Sequence, residues 1–231
     1  MKKRVGVVPN AHLFETDDPY KDQYIFVNNY ARRIAANGGI PLGILPTDGY
    51  ALEETLEECD AFVFCGGNRI FPYHFQAMEH ALKENKTVLG ICLGMQVMHS
   101  VLIVQDEAQR RGWQGSLLSL YEAMKRERYM FTEPVAHHWD VNSVRDRMDA
   151  CKHPVQVIPG TRLHSLLGQE QVRAVTLHRY RITTPSERAV VSARALDDTI
   201  EGIELGERAI GVQFHPEVED ELDALFRFVT K

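Results

Sequence analysis

Hydrophobic positions in the 231-residue chain fall into two alternating rhythms. Short apolar runs at residues 5–8, 40–45, 61–64 and 87–91 have strand length, and the segments between them carry apolar residues at helical spacing. Val27, Tyr30, Ala31 and Ile34 stand at i, i+3, i+4 and i+7, and Asn37-Gly38-Gly39 supplies the stop. Leu52, Leu56 and Cys59 line a short helix, and further helices are expected over about 73–85 and 95–104. After an irregular stretch, strands are expected near 154–158, 172–176, 190–193, 200–205 and 210–214. A closing helix is marked by Leu222, Leu225, Phe226 and Val229. Continuously apolar strands alternating with helices require cover on both faces, so the pattern predicts a three-layer α/β fold with a mostly parallel central sheet flanked by helices.

The alternation lapses at about 107–150, which reads as an insertion or variable segment within a single domain, 1–231. Leu117, Leu120, Tyr121 and Met124 predict one helix there, with a core-facing role preferred to a lid or dimer contact. No internal repeat is visible.

Candidate chemistry begins at the end of the fourth strand, where Gly90-Ile91-Cys92-Leu93-Gly94 puts a cysteine between two glycines at a strand-to-helix junction. A turn that sharp brings backbones together where a Cβ would clash, and it sets the sulfur beside a helix amino terminus, whose partial positive charge favours a thiolate. Gly-x-Cys-x-Gly is expected only ~0.02 times by chance at this composition. A thiolate needs a base, and the base needs a third group to orient it. His215 and Glu217 lie just past the end of the last predicted strand, and in an open parallel sheet such ends gather in one crevice. Cys92, His215 and Glu217 are therefore the catalytic candidates. Gly66-Gly67 ends the preceding strand, so the backbones of Gly67 and Leu93 are candidates for an oxyanion hole.

Composition narrows the classes of partner. A net charge of −6 offers no attraction to nucleic acid or an anionic membrane surface, and no uncharged run reaches membrane-spanning length. The apolar stretch 5–9 is too short for a signal-peptide core, so a cytoplasmic location is expected. Cys59, Cys65, Cys92 and Cys151 show no metal or disulfide spacing, and three of them are expected to be small core residues. His137-His138 with Asp140 is set aside as a metal motif, because neighbouring histidines point apart on a regular element. No metal and no cofactor is expected, and a homodimer is the base-rate expectation for assembly.

Residues 90–96, Gly-Ile-Cys-Leu-Gly-Met-Gln, and 211–217, Gly-Val-Gln-Phe-His-Pro-Glu, resemble the class I glutamine amidotransferase superfamily, with its flavodoxin-like fold and Cys-His-Glu triad. Within it the chain is most similar to the γ-glutamyl-γ-aminobutyrate hydrolase family. That narrower likeness rests on Tyr30, Gly38-Gly39-Ile40-Pro41, Leu45-Pro46, His153-Pro154-Val155, on 159–163 and on 191–195 before 201–204. The resemblance implies hydrolysis of a small γ-glutamyl amide through a glutamyl thioester. By position it implies substrate contacts from Gly66, Gln96, the backbone of Thr176 and Leu177, and His178. Two departures leave the leaving group open: this chain has Val175-Thr176-Leu177-His178-Arg179-Tyr180-Arg181 where the family has Asn-Ser-x-His-His-Gln, and Leu93 where its hydrolases often have arginine. The alternatives are a glutaminase subunit that passes ammonia to a synthetase, and a non-catalytic binding protein of the same fold.

Overall fold

The computed structural model describes residues 1–136, 138 and 151–231. In chain order the first half comprises β1 (Arg4–Val8), β2 (Asn10–His12), β3 (Gln23–Ile25), α1 (Asn28–Ala36), β4 (Ile40–Gly43), α2 (Glu53–Glu57), β5 (Ala61–Phe64), α3 (Pro72–Lys83) and β6 (Thr87–Ile91). There follow α4 (Leu93–Arg111), α5 (Leu117–Arg126), β7 (Thr132–Pro134), β8 (Lys152–Val157), α6 (Arg162–Leu167), β9 (Gln171–Val175) and β10 (Tyr180–Ile182). The chain closes with β11 (Val190–Ala195), β12 (Ile200–Leu205), β13 (Ala209–Val212) and α7 (Ala224–Thr230).

Nine strands form one sheet in the order β4-β1-β5-β6-β13-β12-β11-β8-β9. The five from β4 to β13 pair in parallel, and each later pair is antiparallel. Following those pairings, only β12 and β8 run against the rest. This has a direct consequence for the site, since reversed strands begin at the end where the others finish. The first residues of β8 and β12 therefore lie beside the last residues of β5, β6, β9 and β13.

Strand alternation divides the core. Phe62 and Phe64 pack with Val88, Met78, Met98 and Leu102 under α3, α4 and α5, whereas Ala61, Val63, Leu89 and Ile91 pack with Tyr30, Ile34, Leu163, Leu225 and Phe226 under α1, α6 and α7. Leu120, Tyr121 and Met124 are buried in the first of these clusters, so the predicted helix faces the core. Helix α4 runs to Arg111, seven residues past the apolar periodicity, because 105–111 form a polar extension that ends at the left-handed C-cap Gly112. The strand expected over 40–45 stops at Gly43, and that expected over 210–214 is Ala209–Val212. The hairpin β2-β3, the pair β7-β10 and helix α6 were not visible as hydrophobic pattern. Among the described residues no helix is long and apolar enough to cross a membrane, and the four cysteines are buried and unpaired. His137, Asp140 and most of the segment between β7 and β8 lie outside the described residues.

Candidate active site

Cys92 sits between β6 and α4 with φ 52° and ψ −103°, a backbone conformation that a non-glycine residue adopts only when its surroundings enforce it. They do so through contact. A Cβ on Gly90 would lie 2.7 Å from the Gly94 backbone, and one on Gly94 would lie 2.6 Å from Phe64 Cβ and 2.7 Å from its carbonyl oxygen. The Cys92 N–H donates to the Val212 carbonyl at 2.8 Å, which ties the elbow to β13. Leu93 is the first residue of α4, so its N–H has no carbonyl one turn back and is available to an oxyanion. Gly67 adjoins it, since a Cβ there would fall 2.9 Å from Leu93 Cδ2.

His215 follows β13, and its backbone N–H donates to the Val175 carbonyl at 2.9 Å. Its Nδ1 donates to Glu217 Oε1 at 2.7 Å. The ring passes over Gly66, where a Cβ would stand 2.8 Å from His215 Cε1 and 3.5 Å from Cys92 Cβ; that glycine keeps the space between base and nucleophile clear. Burial opposes charge on this imidazole, but the Glu217 carboxylate and the Cys92 sulfur outweigh it, so the pKa lies well above the usual value. Burial likewise opposes charge on Glu217, and the His215 cation holds its pKa below the usual carboxylate value. His215 Nε2 makes no hydrogen bond within normal limits at its other face. The Cys92 sulfur nonetheless raises the His215 pKa both by its charge and by its closeness as an acceptor, a loose pairing of the kind that tightens when substrate binds.

Two residues behind the triad carried no catalytic reading in the sequence. Tyr30, fully buried on α1, donates its hydroxyl to Glu217 Oε1 at 2.9 Å and accepts from the Gly66 N–H at 2.9 Å. Burial, then the neighbouring Glu217 charge, keeps its phenol pKa well above the usual value, so it stays a donor. Arg33 Nε donates to the Glu217 carbonyl at 3.2 Å, and its Nη1 pairs with Asp220 at 2.5 Å and Asp223 at 3.1 Å. Both sit on the apolar-periodic helix, where a tyrosine reads as core and an arginine as solvated; only their spacing of three, which puts them on one side of α1, hinted at a joint task.

The pocket over Cys92 has a volume of about 290 Å³ and is lined by Gly67, Asn68, Cys92, Gln96, Leu177, His178, Arg179 and Tyr180. A larger hollow of about 620 Å³ lies at the opposite end of the strands beside Thr87 and Arg208, so size alone would misplace the site. Gln96 donates to the Tyr180 carbonyl at 3.3 Å and to Gln213 Oε1 at 3.2 Å; Gln213 is wholly buried and holds Gln96 from behind the pocket wall. Of the residues expected to hold substrate, Gln96, Leu177 and His178 reach the pocket, and Gly66 lies under His215. Thr176 is not on the pocket wall, and its N–H already donates to the Cys151 carbonyl at 3.0 Å. His178 borders the pocket but turns its ring inward, with Nδ1 3.0 Å from the Tyr180 carbonyl and Nε2 3.1 Å from Glu201 Oε1.

The Peptidase C26 family model matches residues 4–80 and 73–217. The CTP synthase of Thermotoga maritima is 25% identical over 228 residues, which cover 90% of this chain and 41% of that enzyme. The chain thus spans less than half the length of that relative. A Thermoplasma acidophilum protein assigned to GMP synthase has a similar structure, with a TM-score of 0.64, 16% identity, and coverage of 99% of this chain and 93% of that one. A glutamine amidotransferase from Thermotoga maritima gives 0.62 and 17% identity, covering 98% and 96%. The narrower likeness to γ-glutamyl-γ-aminobutyrate hydrolases is not what these similarities single out. With a nucleophile elbow, a histidine and a carboxylate in its matched segments, the chain belongs to the Peptidase C26 family and has the fold of class I glutamine amidotransferase structures.

Proposed function

We propose that this chain hydrolyses the side-chain amide of glutamine through a glutamyl thioester on Cys92 and supplies the ammonia to a synthase partner. The observation that carries the reading is the cysteine held strained at the head of α4, opposite a histidine whose far nitrogen is fixed 2.7 Å from a buried carboxylate. Similarity to a CTP synthase and to a protein assigned to GMP synthase supports the synthase partner.

In this mechanism the Cys92 sulfur, its proton transferred to His215, attacks the γ-carbonyl carbon. The oxygen becomes an oxyanion facing the N–H groups of Leu93 and Gly67. The C–N bond breaks as His215 returns the proton to the departing nitrogen, leaving the thioester. Water then attacks the acyl carbon while His215 takes its proton; the C–S bond breaks, the sulfur regains its proton, and glutamate leaves. Glu217 stabilises the imidazolium formed in each half. Gln96 and the backbone at Leu177 are the candidates to read the glutamyl end. A reducing compartment suits such a thiol.

A second reading keeps the same acyl chemistry but releases a larger amine with no partner required. Tyr180, half exposed beside Arg179 at the pocket, favours it by leaving the amine side open. Incubating the purified chain with glutamine and with γ-glutamyl amides of varied amines, with and without candidate synthases, separates the two. Glutaminase activity that rises when a synthase is added supports the first. Fast cleavage of a γ-glutamyl amide of a bulky amine by the chain alone supports the second. Equal rates on glutaryl amides, which lack the α-amino group, would remove the glutamyl substrate class from both.

A further inference from the structure

Behind the pocket wall, the reversed strands β8 and β12 deliver two polar side chains to the active-site end of the sheet: His153 and Glu201, each the second residue of its strand. His178 arrives from just past β9, and His138 from the segment before β8. Glu201, His138 and His178 are almost wholly buried. His138 Nδ1 lies 3.3 Å from Glu201 Oε1, His178 Nε2 lies 3.1 Å from the same oxygen, and the two nitrogens are 3.1 Å apart. His153 Nε2 is 3.6 Å from that oxygen, and the donor atoms of His138, His153 and Glu201 all fall within 4.8 Å of one another.

The outer contacts of the rings fix what points inward. His138 Nε2 meets Asp197 Oδ2 at 3.1 Å and His178 Nδ1 meets the Tyr180 carbonyl at 3.0 Å; both partners only accept, so each of these nitrogens carries the proton. In the neutral rings His138 Nδ1 and His178 Nε2 are then bare lone pairs, aimed at each other and at a carboxylate oxygen. Three acceptors at such separations repel unless a cation sits among them. Donors 2.0–2.1 Å from a tetrahedral zinc ion lie ~3.3 Å apart, and the triangle here has edges of 3.1, 3.1 and 3.3 Å. Among the described residues His153 Nε2 and Glu201 Oε2 are buried without a hydrogen-bond partner, as donors awaiting an ion would be. Glu204, three residues along the same strand and also buried, differs: both of its oxygens accept N–H bonds, from Leu163 at 2.6 Å and Arg162 at 2.9 Å.

We propose that His138, His153, His178 and Glu201 form a binding site for one divalent transition-metal ion, zinc by its three imidazoles and one carboxylate, with Asp197 as the outer carboxylate that orients His138. The ion ties β8, β12, His138 and the connection between β9 and β10 together behind Leu177 and Arg179, bracing the pocket wall without touching the reacting atoms. The site stands independently of which amide is cleaved.

Metal analysis of the full chain, purified without chelator and again after chelation and reloading with Zn²⁺, tests it; about one equivalent per chain is expected. Co²⁺ in place of Zn²⁺ should give the visible absorption bands of a four-coordinate ion. D197A, at an exposed position that leaves the core intact, should weaken Zn²⁺ binding roughly 10- to 100-fold, and H153A should weaken it at least as much. C92A should retain the full equivalent, which separates the site from capture by the catalytic thiol. Less than a tenth of an equivalent with no Co²⁺ bands overturns the proposal and leaves a proton as the shared cation. Unchanged Zn²⁺ affinity in folded D197A and H153A overturns it as well, placing any bound metal elsewhere.

Discussion

The two halves of the central sheet handle polar chemistry in opposite ways. In the parallel half, β5, β6 and β13 are buried along their whole length and apart from Thr87 hold no polar side chain, so the residues of the candidate site begin one to five residues after each strand ends, at Gly66, Cys92, His215 and Glu217. In the antiparallel half, β8 and β12 carry His153, Glu201 and Glu204 within the strands themselves. Each of those groups must find its partner inside the protein, because burying an unpaired charge costs far more than burying a paired one. Chemistry held beyond strand ends can be altered with little loss of stability, whereas chemistry built into strands cannot. The contrast also separates buried histidines by neighbour: among the described residues His74 and His99, under the parallel half, have no carboxylate beside them, while His138 and His178 face Glu201.

The strongest way to break this contrast is at the triad. Cys92→Ala and His215→Ala should each lower turnover on any cleaved γ-glutamyl amide by ~10⁴-fold or more, with the melting temperature nearly unchanged in Cys92→Ala. Glu217→Ala should cost less in rate, since packing still orients the His215 ring. Steady-state kinetics beside calorimetry decides it. A large fall in melting temperature with Cys92→Ala would show that the loop chemistry and the fold are coupled after all.

Next in size is a change at the point where the parallel half does constrain the site. Gly94→Ala puts a methyl 2.7 Å from the Phe64 carbonyl oxygen, and neither backbone has room to move. Overpacking of this kind costs about 1–3 kcal/mol, so denaturant unfolding should show that loss along with weakened activity. An alanine tolerated without loss would mean that the elbow is looser than its contacts indicate.

Acid should sharpen the distinction among the histidines. Burial drives the His74 pKa down to about 3 and that of His99 to about 4. In the unfolded chain both return to ~6.5, so the unfolded state takes up the extra protons. Their stabilising contribution is complete above pH 6.5 and is lost as pH falls toward those folded values, by about 2 kcal/mol each at pH 5. His74→Gln should flatten that part of the profile, because the substituted residue has no proton to take up. A profile just as steep after the substitution would remove His74 from the acid response.

What could be read from sequence follows the same division. Residues 61–64 and 87–91 are strands with no polar interruption but the opening Thr87, so their boundaries, the elbow at Cys92 and the pairing of His215 with Glu217 all stood out as pattern. The hairpin β2-β3 and the pair β7-β10 are three-residue strands with at most one buried position each, too short to leave a period. His153 and His178 drew notice only through a family resemblance, and Glu201 read as part of an ordinary strand. Their convergence depends on β8 and β12 running backwards, which no local pattern encodes. Tyr30 was legible as a core position on α1 but not as a partner of Glu217, 187 residues away.

That tyrosine gives the smallest expected effect, and one that tells a buttress from a participant. Tyr30→Phe removes one hydroxyl that serves two partners, leaving Glu217 Oε1 with the His215 bond alone and the Gly66 N–H without its acceptor. Losing one such buried partner costs about 1–3 kcal/mol, but part of this falls on folding, and Arg33 still holds the Glu217 backbone from the other side. The share that reaches the transition state should be close to 1.4 kcal/mol, a ~10-fold fall in kcat with KM nearly constant. The hydroxyl also helps to hold the Glu217 pKa down, after the larger effect of His215, so the variant's acid limb should move slightly upward. Measuring kcat and KM across pH for the variant and the parent separates the cases. A fall beyond about 10³-fold would mean that Tyr30 acts on the reacting atoms and not only through Glu217. No change at all would show that the His215 bond and the Arg33 anchor orient the carboxylate without it.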